Sequence, residues 1–149
     1  MHSPHEVFLS TKIALTGRLI ASEFDARLAK SGASSTTWLI LSALMGAADD
    51  SVAMSQKDLA QALFLGGPNI TVQLDKLQQG GLIARRADAA DRRVTRVTIT
   101  AKGKKTFTGL ARVVGDFEEY VQREMSEREA AGLSRSLDRI HSALSPESD

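Results

Sequence analysis

The segment from Gly67 to Gly103 constrains the fold more than any other part of the chain. Gly67-Pro68-Asn69 opens a helix. Proline at the first helical position has its φ preset and lacks only an N–H that would find no partner there. Gly80-Gly81 stops that helix. Leu82 to Arg86 reads as a strand, Asp88 to Arg93 as a turn and Val94 to Ile99 as the returning strand. Thr100 opens the next helix. A glycine-stopped helix, an arginine-studded hairpin and an immediate capped restart describe a basic flap projecting from a helical body.

The rest of the chain reads as helices joined by short turns, with a length that suits one compact unit. A first helix starts near Ser3-Pro4 and carries two apolar stripes: Phe8, Leu15 and Leu19, and Ile13, Ile20, Phe24 and Leu28. That is wider than one core-facing stripe. It predicts packing against the helix's own domain and against a second subunit, with simple deeper burial as the plainer alternative. Gly32 ends the helix, and Ser34 caps a second one carrying Trp38, Leu41, Leu44 and Met45 at helical spacing. Asp49-Asp50-Ser51 is a turn, and Val52-Ala53-Met54 offers a short third strand. Ser55-Gln56-Lys57-Asp58 resembles a capping box with aspartate in the glutamate slot, opening a short helix with Leu59, Ala60 and Leu63. Gly66-Gly67 is expected to make the tight turn into the Pro68 helix. Two short helices joined in this way form a helix-turn-helix unit, and the flap that follows makes it winged. Two more helices come after the flap. One carries Phe107, Leu110, Val114, Phe117 and Val121; the other is capped by Ser126 with Glu129 and carries Leu133, Leu137, Ile140 and Leu144. Their three-four spacing favours helix-on-helix packing, within the domain or across a dimer.

Charge points the same way. The chain has a net charge of only +1, yet Leu82 to Lys105 holds eight basic residues against two acids, leaving the remainder at −5. A concentrated basic patch on a near-neutral protein is the footprint expected for phosphate contacts. The absence of cysteine excludes disulfides, thiolate metal sites and cysteine-based redox sensing. No apolar run is long enough to cross a bilayer, and the N-terminus lacks a signal-peptide pattern, so a cytoplasmic location is expected.

The expected DNA-reading residues follow from the helix periodicity. Ile70, Leu74 and Leu77 share one face of the Pro68 helix and should dock into the core, leaving Asn69, Val72, Gln73 and Lys76 for the major groove. An amide side chain offers adenine one donor and one acceptor, Lys76 suits a phosphate or a guanine, and Val72 can only touch a thymine methyl. Thr71 borders this face and reaches a phosphate. Gln56 and Lys57 lie at the start of the preceding helix, where free amides and the helix dipole favour a phosphate. In the turn, Asp91 can close the backbone or orient Arg93. An oriented arginine at a hairpin tip suits a narrow minor groove. Arg92 would then lie on phosphate, and Arg85, Arg86 and Arg96 would line the same backbone, with at least one of them a structural salt bridge.

These pieces together resemble the MarR family of bacterial regulators. The matches are Ser34 four residues before Trp38, Ser55-Gln56-Lys57-Asp58-Leu59-Ala60, Leu74-Asp75-Lys76-Leu77, Gly81-Leu82-Ile83, Asp91-Arg92-Arg93, and Val97-Thr98-Ile99-Thr100 with Gly103. Gly67-Pro68 resembles the branch with proline at the recognition-helix start. Val72 departs from the basic residue that many relatives carry there. The resemblance implies a single domain, mainly α with a small β-hairpin wing. Its winged helix-turn-helix lobe spans about 34–100, and its helical dimerisation region about 1–31 and 104–145. It implies a homodimer on a pseudo-palindromic double-stranded DNA operator, acting as a repressor released by a small aromatic or phenolic ligand, with Trp38 as a candidate pocket residue. It implies no cofactor. Zinc sensing is poorly supported, since His2 and His5 lie at the terminus and His141 is far from both.

An enzyme is not expected: there is no nucleophile elbow, no paired-carboxylate pattern and no phosphate-binding glycine loop after a strand. The competing reading is a winged-helix module that binds protein or RNA without operator specificity. The arginine cluster in the wing argues against it.

Overall fold

Local end signals set the layout. In the computed structural model, which describes residues 8–49 and 53–145, six helices and three short strands follow one another as α1 (Leu9–Ala29), α2 (Ser35–Asp49), β1 (Met54–Ser55), α3 (Gln56–Ala62), α4 (Gly67–Gln79), β2 (Ile83–Ala87), β3 (Thr95–Ile99), α5 (Ala101–Gln122) and α6 (Glu127–Leu144). The expected start at Ser3-Pro4, together with Asp50, Ser51, Val52 and the two histidines His2 and His5, lies outside the described residues. The third strand is present, but as Met54–Ser55.

Caps form where the sequence places them. Ser34 Oγ accepts from the Thr37 N–H at 3.1 Å. Ser55 and Asp58 form a reciprocal capping box on α3, and Ser126 with Glu129 forms another on α6. Hydrogen bonding by the Ser55 side chain holds the Asp58 carboxyl below its ordinary value, helped by the Ser55 N–H and the charges of Arg96 and Lys57, and opposed by burial. At the end of α4 the Leu82 N–H reaches back to Leu77 O (2.9 Å) and the Gly81 N–H to Gln78 O (2.9 Å), with Gly81 at φ +74°. This is the paired-bond stop that a left-handed glycine permits.

One turn differs from expectation. The helix-turn-helix reversal is made by Phe64, at φ +52°, and not by the glycine pair. The Leu65 N–H bonds back to Ala60 O (2.9 Å) and the Phe64 N–H to Gln61 O (3.2 Å), so α3 stops in the same paired pattern with phenylalanine in the glycine position. Gly66 is an ordinary extended N-cap, at φ −61° and ψ 151°.

The three strands form one antiparallel sheet in the order β1-β3-β2, with Met54 opposite Val97 and Arg85 opposite Val97 on the other side. The core gathers Leu28, Ile40, Leu41, Leu44, Leu59, Ile70, Leu74, Leu77, Ile83 and Val97, so each of the first four helices and both wing strands contribute to it. The chain divides within α5 into two compact units, ending at Val113 and beginning at Val114. In the first unit, α1 buries only Leu28, and Phe8, Leu9, Leu15, Leu19 and Ile20 stay exposed. In the second, α6 buries nothing, and Leu133, Leu137, Ile140 and Leu144 are all exposed.

Two predictions follow from this packing. A Cβ on Gly103 would overlap the Leu82 carbonyl oxygen outright and lie 2.7 Å from Ile99 Cγ1. Backbone cannot retreat as a flexible side chain can, so Gly103→Ala should cost about 1–3 kcal/mol. The expected readout is a lower urea midpoint at an unchanged slope. For α3, the depressed Asp58 value means its stabilisation is fully present above the unfolded value of 3.8 and is lost as pH falls through the lower folded value. The stability gap between parent and Asp58→Ala should therefore be flat at neutral pH and shrink below that point. A gap unchanged into strong acid would show that the carboxylate charge is not what caps the helix.

Candidate nucleic-acid interface

The face expected to read bases is carried by α4. Ile70, Leu74 and Leu77 are buried as the periodicity requires, which turns Asn69, Val72 and Lys76 outward, with Gln73 half-buried at the edge. Val72 is 50% exposed, an apolar group in the middle of a polar face. Asn69, Gln73 and Lys76 make no side-chain hydrogen bond among the described residues, so their donors and acceptors are available to a ligand.

Thr71 and Gln56, expected to touch phosphate separately, are joined to each other. Gln56 Nε2 donates to Thr71 Oγ1 at 2.9 Å, and that hydroxyl donates to Gly67 O at 3.0 Å. This chain ties the first turn of α4 to the first residue of α3. Lys57 is exposed beside it.

The wing sorts its arginines into two groups. Arg93 stands at the tip with its side chain 90% exposed, held by Asp91: Nε to Oδ1 at 3.1 Å and Nη2 to Oδ2 at 3.2 Å. The same Asp91 also accepts from the Arg93 N–H (3.0 Å), and its carbonyl accepts from the Val94 N–H (2.9 Å). Both expected jobs of Asp91, turn closure and arginine orientation, are done at once. The Arg93 side chain, then its backbone N–H, holds the Asp91 carboxyl below its ordinary value, so it stays ionised at neutral pH. Arg86 and Arg92 are exposed and carry no ion pair among the described residues.

Arg85 and Arg96 are engaged internally. Arg85 Nε donates to Gln78 Oε1 at 2.6 Å, and its Nη2 pairs with Asp75 Oδ1. Arg96 Nη1 donates to Ala53 O (3.2 Å) and Nη2 to Asp88 Oδ2 (3.1 Å). The sequence reading expected at least one structural salt bridge in this group, and there are two. Asp75, Gln78 and Asp88 were not singled out as partners. The one available signal was that Asp75 and Gln78 sit three apart on one face of α4.

The candidate ligand residue Trp38 lies stacked on Phe107, with centroids 4.8 Å apart and planes 6° from parallel. A cavity of about 240 Å³ lies elsewhere on α2, where Leu44, Ala48, Val97, Ile99 and Lys104 are among its lining residues, and Trp38 is not. Among the described residues no group of His, Asp or Glu is placed to hold a metal ion, and no helix is long and apolar enough to cross a membrane.

Known proteins share this arrangement. Residues 31–94 match the MarR family. The structure is similar to that of S. aureus MepR in complex with DNA (24% identity, 93% of this chain and 100% of that one, TM-score 0.80). It is similar to the transcriptional regulator BldR of Sulfolobus solfataricus (29% identity, 91% and 94% covered, TM-score 0.81). It is also similar to the transcriptional repressor CouR bound to a 23-mer DNA duplex (22% identity, 89% and 92% covered, TM-score 0.80). The likenesses to MepR and CouR establish the winged-helix fold, and the family match covers the helix-turn-helix, β2 and the wing turn, ending just before β3. Residues 31–94 are thus similar to the MarR family, and the chain has the winged-helix fold of the transcriptional regulator BldR.

Proposed function

We propose that the protein is a cytoplasmic repressor that binds a pseudo-palindromic operator as a homodimer. Each subunit lays α4 in a major groove and the wing in the adjacent minor groove. The observation that carries this reading is the joint exposure of the unengaged α4 face and the pre-oriented Arg93 at the wing tip. Asn69, Val72, Gln73 and Lys76 read or approach bases. Arg86, Arg92 and Lys57 meet phosphates, and Arg93 enters the minor groove, where narrow A·T tracts concentrate negative potential. Gln56, Thr71, Arg85, Asp91 and Arg96 support these groups. Release by a small aromatic or phenolic effector is proposed from the family resemblance, with the Trp38 neighbourhood as its place.

The dimer reading is supported by apolar faces that neither unit covers for itself. Leu133, Leu137, Ile140 and Leu144 follow three-four spacing along α6, and α1 exposes Leu9, Leu15 and Leu19. Contiguous exposed apolar surface of this kind marks an interface.

Binding to DNA from upstream of the protein's own gene, measured by fluorescence anisotropy over a salt series with random DNA as control, tests the operator reading. Preferential binding that weakens steeply with salt is expected, because phosphate contacts release counterions. Arg93→Ala should lower affinity by about tenfold or more. Equal affinity of parent and variant would remove the wing role, and salt-insensitive or absent binding would favour the protein-interaction module.

The second test is oligomeric state. The parent should sediment as a dimer at micromolar concentration, and Leu137→Glu as a folded monomer with unchanged helicity. A monomeric parent would end the dimer reading.

A further inference from the structure

We propose that Arg85 is a positioning residue that fixes the separation and rotation between the recognition helix and the wing, so that the protein measures the spacing between its major-groove and minor-groove contacts. This rests on the DNA-binding reading above.

Arg85 sits in the middle of β2, opposite Val97 of β3. The base of the hairpin is held by core packing, since Ile83 and Val97 are buried. Past Arg85, Arg86 and Ala87 are exposed, and the hairpin leaves the core. Arg85 is therefore the last side chain of β2 that ties the wing to α4. Its guanidinium is held at two nitrogens, Nε by Gln78 and Nη2 by Asp75. The two acceptors lie one helical turn apart on the same face of α4. A planar, rigid fork held at two points along a helix fixes rotation as well as distance, which a single point charge cannot do. The Arg85 side chain is only 20% exposed, while its partner Asp75 is 47% exposed, so the two-point geometry rather than burial distinguishes the clasp from a single surface pair.

The opposite strand has a matching tie. Arg96 pairs across from Arg86 and bonds both Ala53 O, just before β1, and Asp88 at the edge of the turn. Each strand of the wing is thus tied by an arginine to backbone or side chains off the hairpin, Arg85 to α4 and Arg96 to Ala53 O. The covalent joint between α4 and β2 is Gly80-Gly81, the residue type that resists bending least. The clasp bridges that joint.

On B-DNA, inserting one base pair displaces what lies beyond it by about 3.4 Å and roughly 35°. A wing locked to α4 cannot follow such a shift, whereas a wing free to pivot can follow part of it.

The test uses the full-length protein and an operator in which one base pair is inserted, in each half-site, between the bases contacted by α4 and those contacted by the wing. Arg85→Met keeps the apolar stem and loses the fork. Arg85→Lys keeps the charge but not the two-point fork geometry. The parent should lose about tenfold or more in affinity on insertion, and Arg85→Met only about threefold or less, as expected when two contacts cease to be coupled. Arg85→Lys should fall between them. Amide exchange in the free protein supplies a readout without DNA. In Arg85→Met the Asp88 and Val94 amides should exchange about tenfold faster while those of Leu74 and Leu77 keep their protection, as in opening confined to one cooperative segment. An insertion penalty equal in parent and Arg85→Met overturns the proposal. If the parent binds neither fragment, the operator reading falls on its own, and exchange then decides the clasp: faster wing exchange upholds it and unchanged exchange overturns it.

Discussion

The carbonyl of Leu82 lies where the recognition helix, the wing and the long fifth helix meet. It accepts the Thr100 N–H at 3.0 Å and packs directly against Gly103. Around it, Thr100 Oγ1 donates to Gly81 O (2.6 Å) and Lys102 Nζ to Gly80 O (2.7 Å). Each such bond contributes on the order of 1 kcal/mol. Together they do something more specific: they close the two ends of the hairpin onto the end of α4. That crossing sets where the base of the hairpin leaves the body. Only a residue without a side chain fits at position 103, because the neighbour is backbone and has no rotamer to change.

This geometry redistributes the basic patch. The eight cations between Leu82 and Lys105 look equivalent as a string of charge, but their surroundings differ. Arg85 and Arg96 are consumed as ties, and Lys102 binds a helix-end carbonyl, where a cation also suits the dipole of α4. Arg93 is paired yet almost wholly exposed, so its partner Asp91 constrains direction without hiding charge. Arg86, Arg92, Lys104 and Lys105 remain exposed. A smaller number of well-aimed cations is therefore presented on a wing that the inward-facing ones hold.

What could be read in the sequence was local, and what could not was the pairing of distant residues. The Ser55–Asp58 and Ser126–Glu129 boxes, the Gly81 stop, the hairpin and the buried stripe of α4 each depend on a few neighbouring residues, and each is found where the pattern placed it. The Phe64 turn was missed because glycine preference is a tendency; the two back-bonds at the end of α3 hold a phenylalanine in the same conformation. Arg85 with Asp75 and Gln78, Gln56 with Thr71, and Arg96 with Ala53 each span separate elements. Until the fold brings them together, a basic or amide side chain near a DNA-reading helix is indistinguishable from a contact. The stripes on α1 and α6 were also legible, but a stripe does not name what covers it.

Removing the engaged groups leaves a short list on α4: Asn69, Val72, Gln73 and Lys76. Under the proposed reading this list has a chemical bias. No arginine fork is present for guanine; two amides match the edge of adenine, and the exposed Val72 has nothing to offer except contact with a methyl group. An A·T-weighted element in the major groove would also sit well beside an Arg93 that favours a narrow, A·T-rich minor groove. The two halves of the interface would then select for the same base composition at adjacent positions. Composition alone would recognise many sites in any genome, and a fixed offset between the two elements would restrict the choice. A wing tied to the recognition helix by an inward-turned arginine is the kind of device that supplies such an offset.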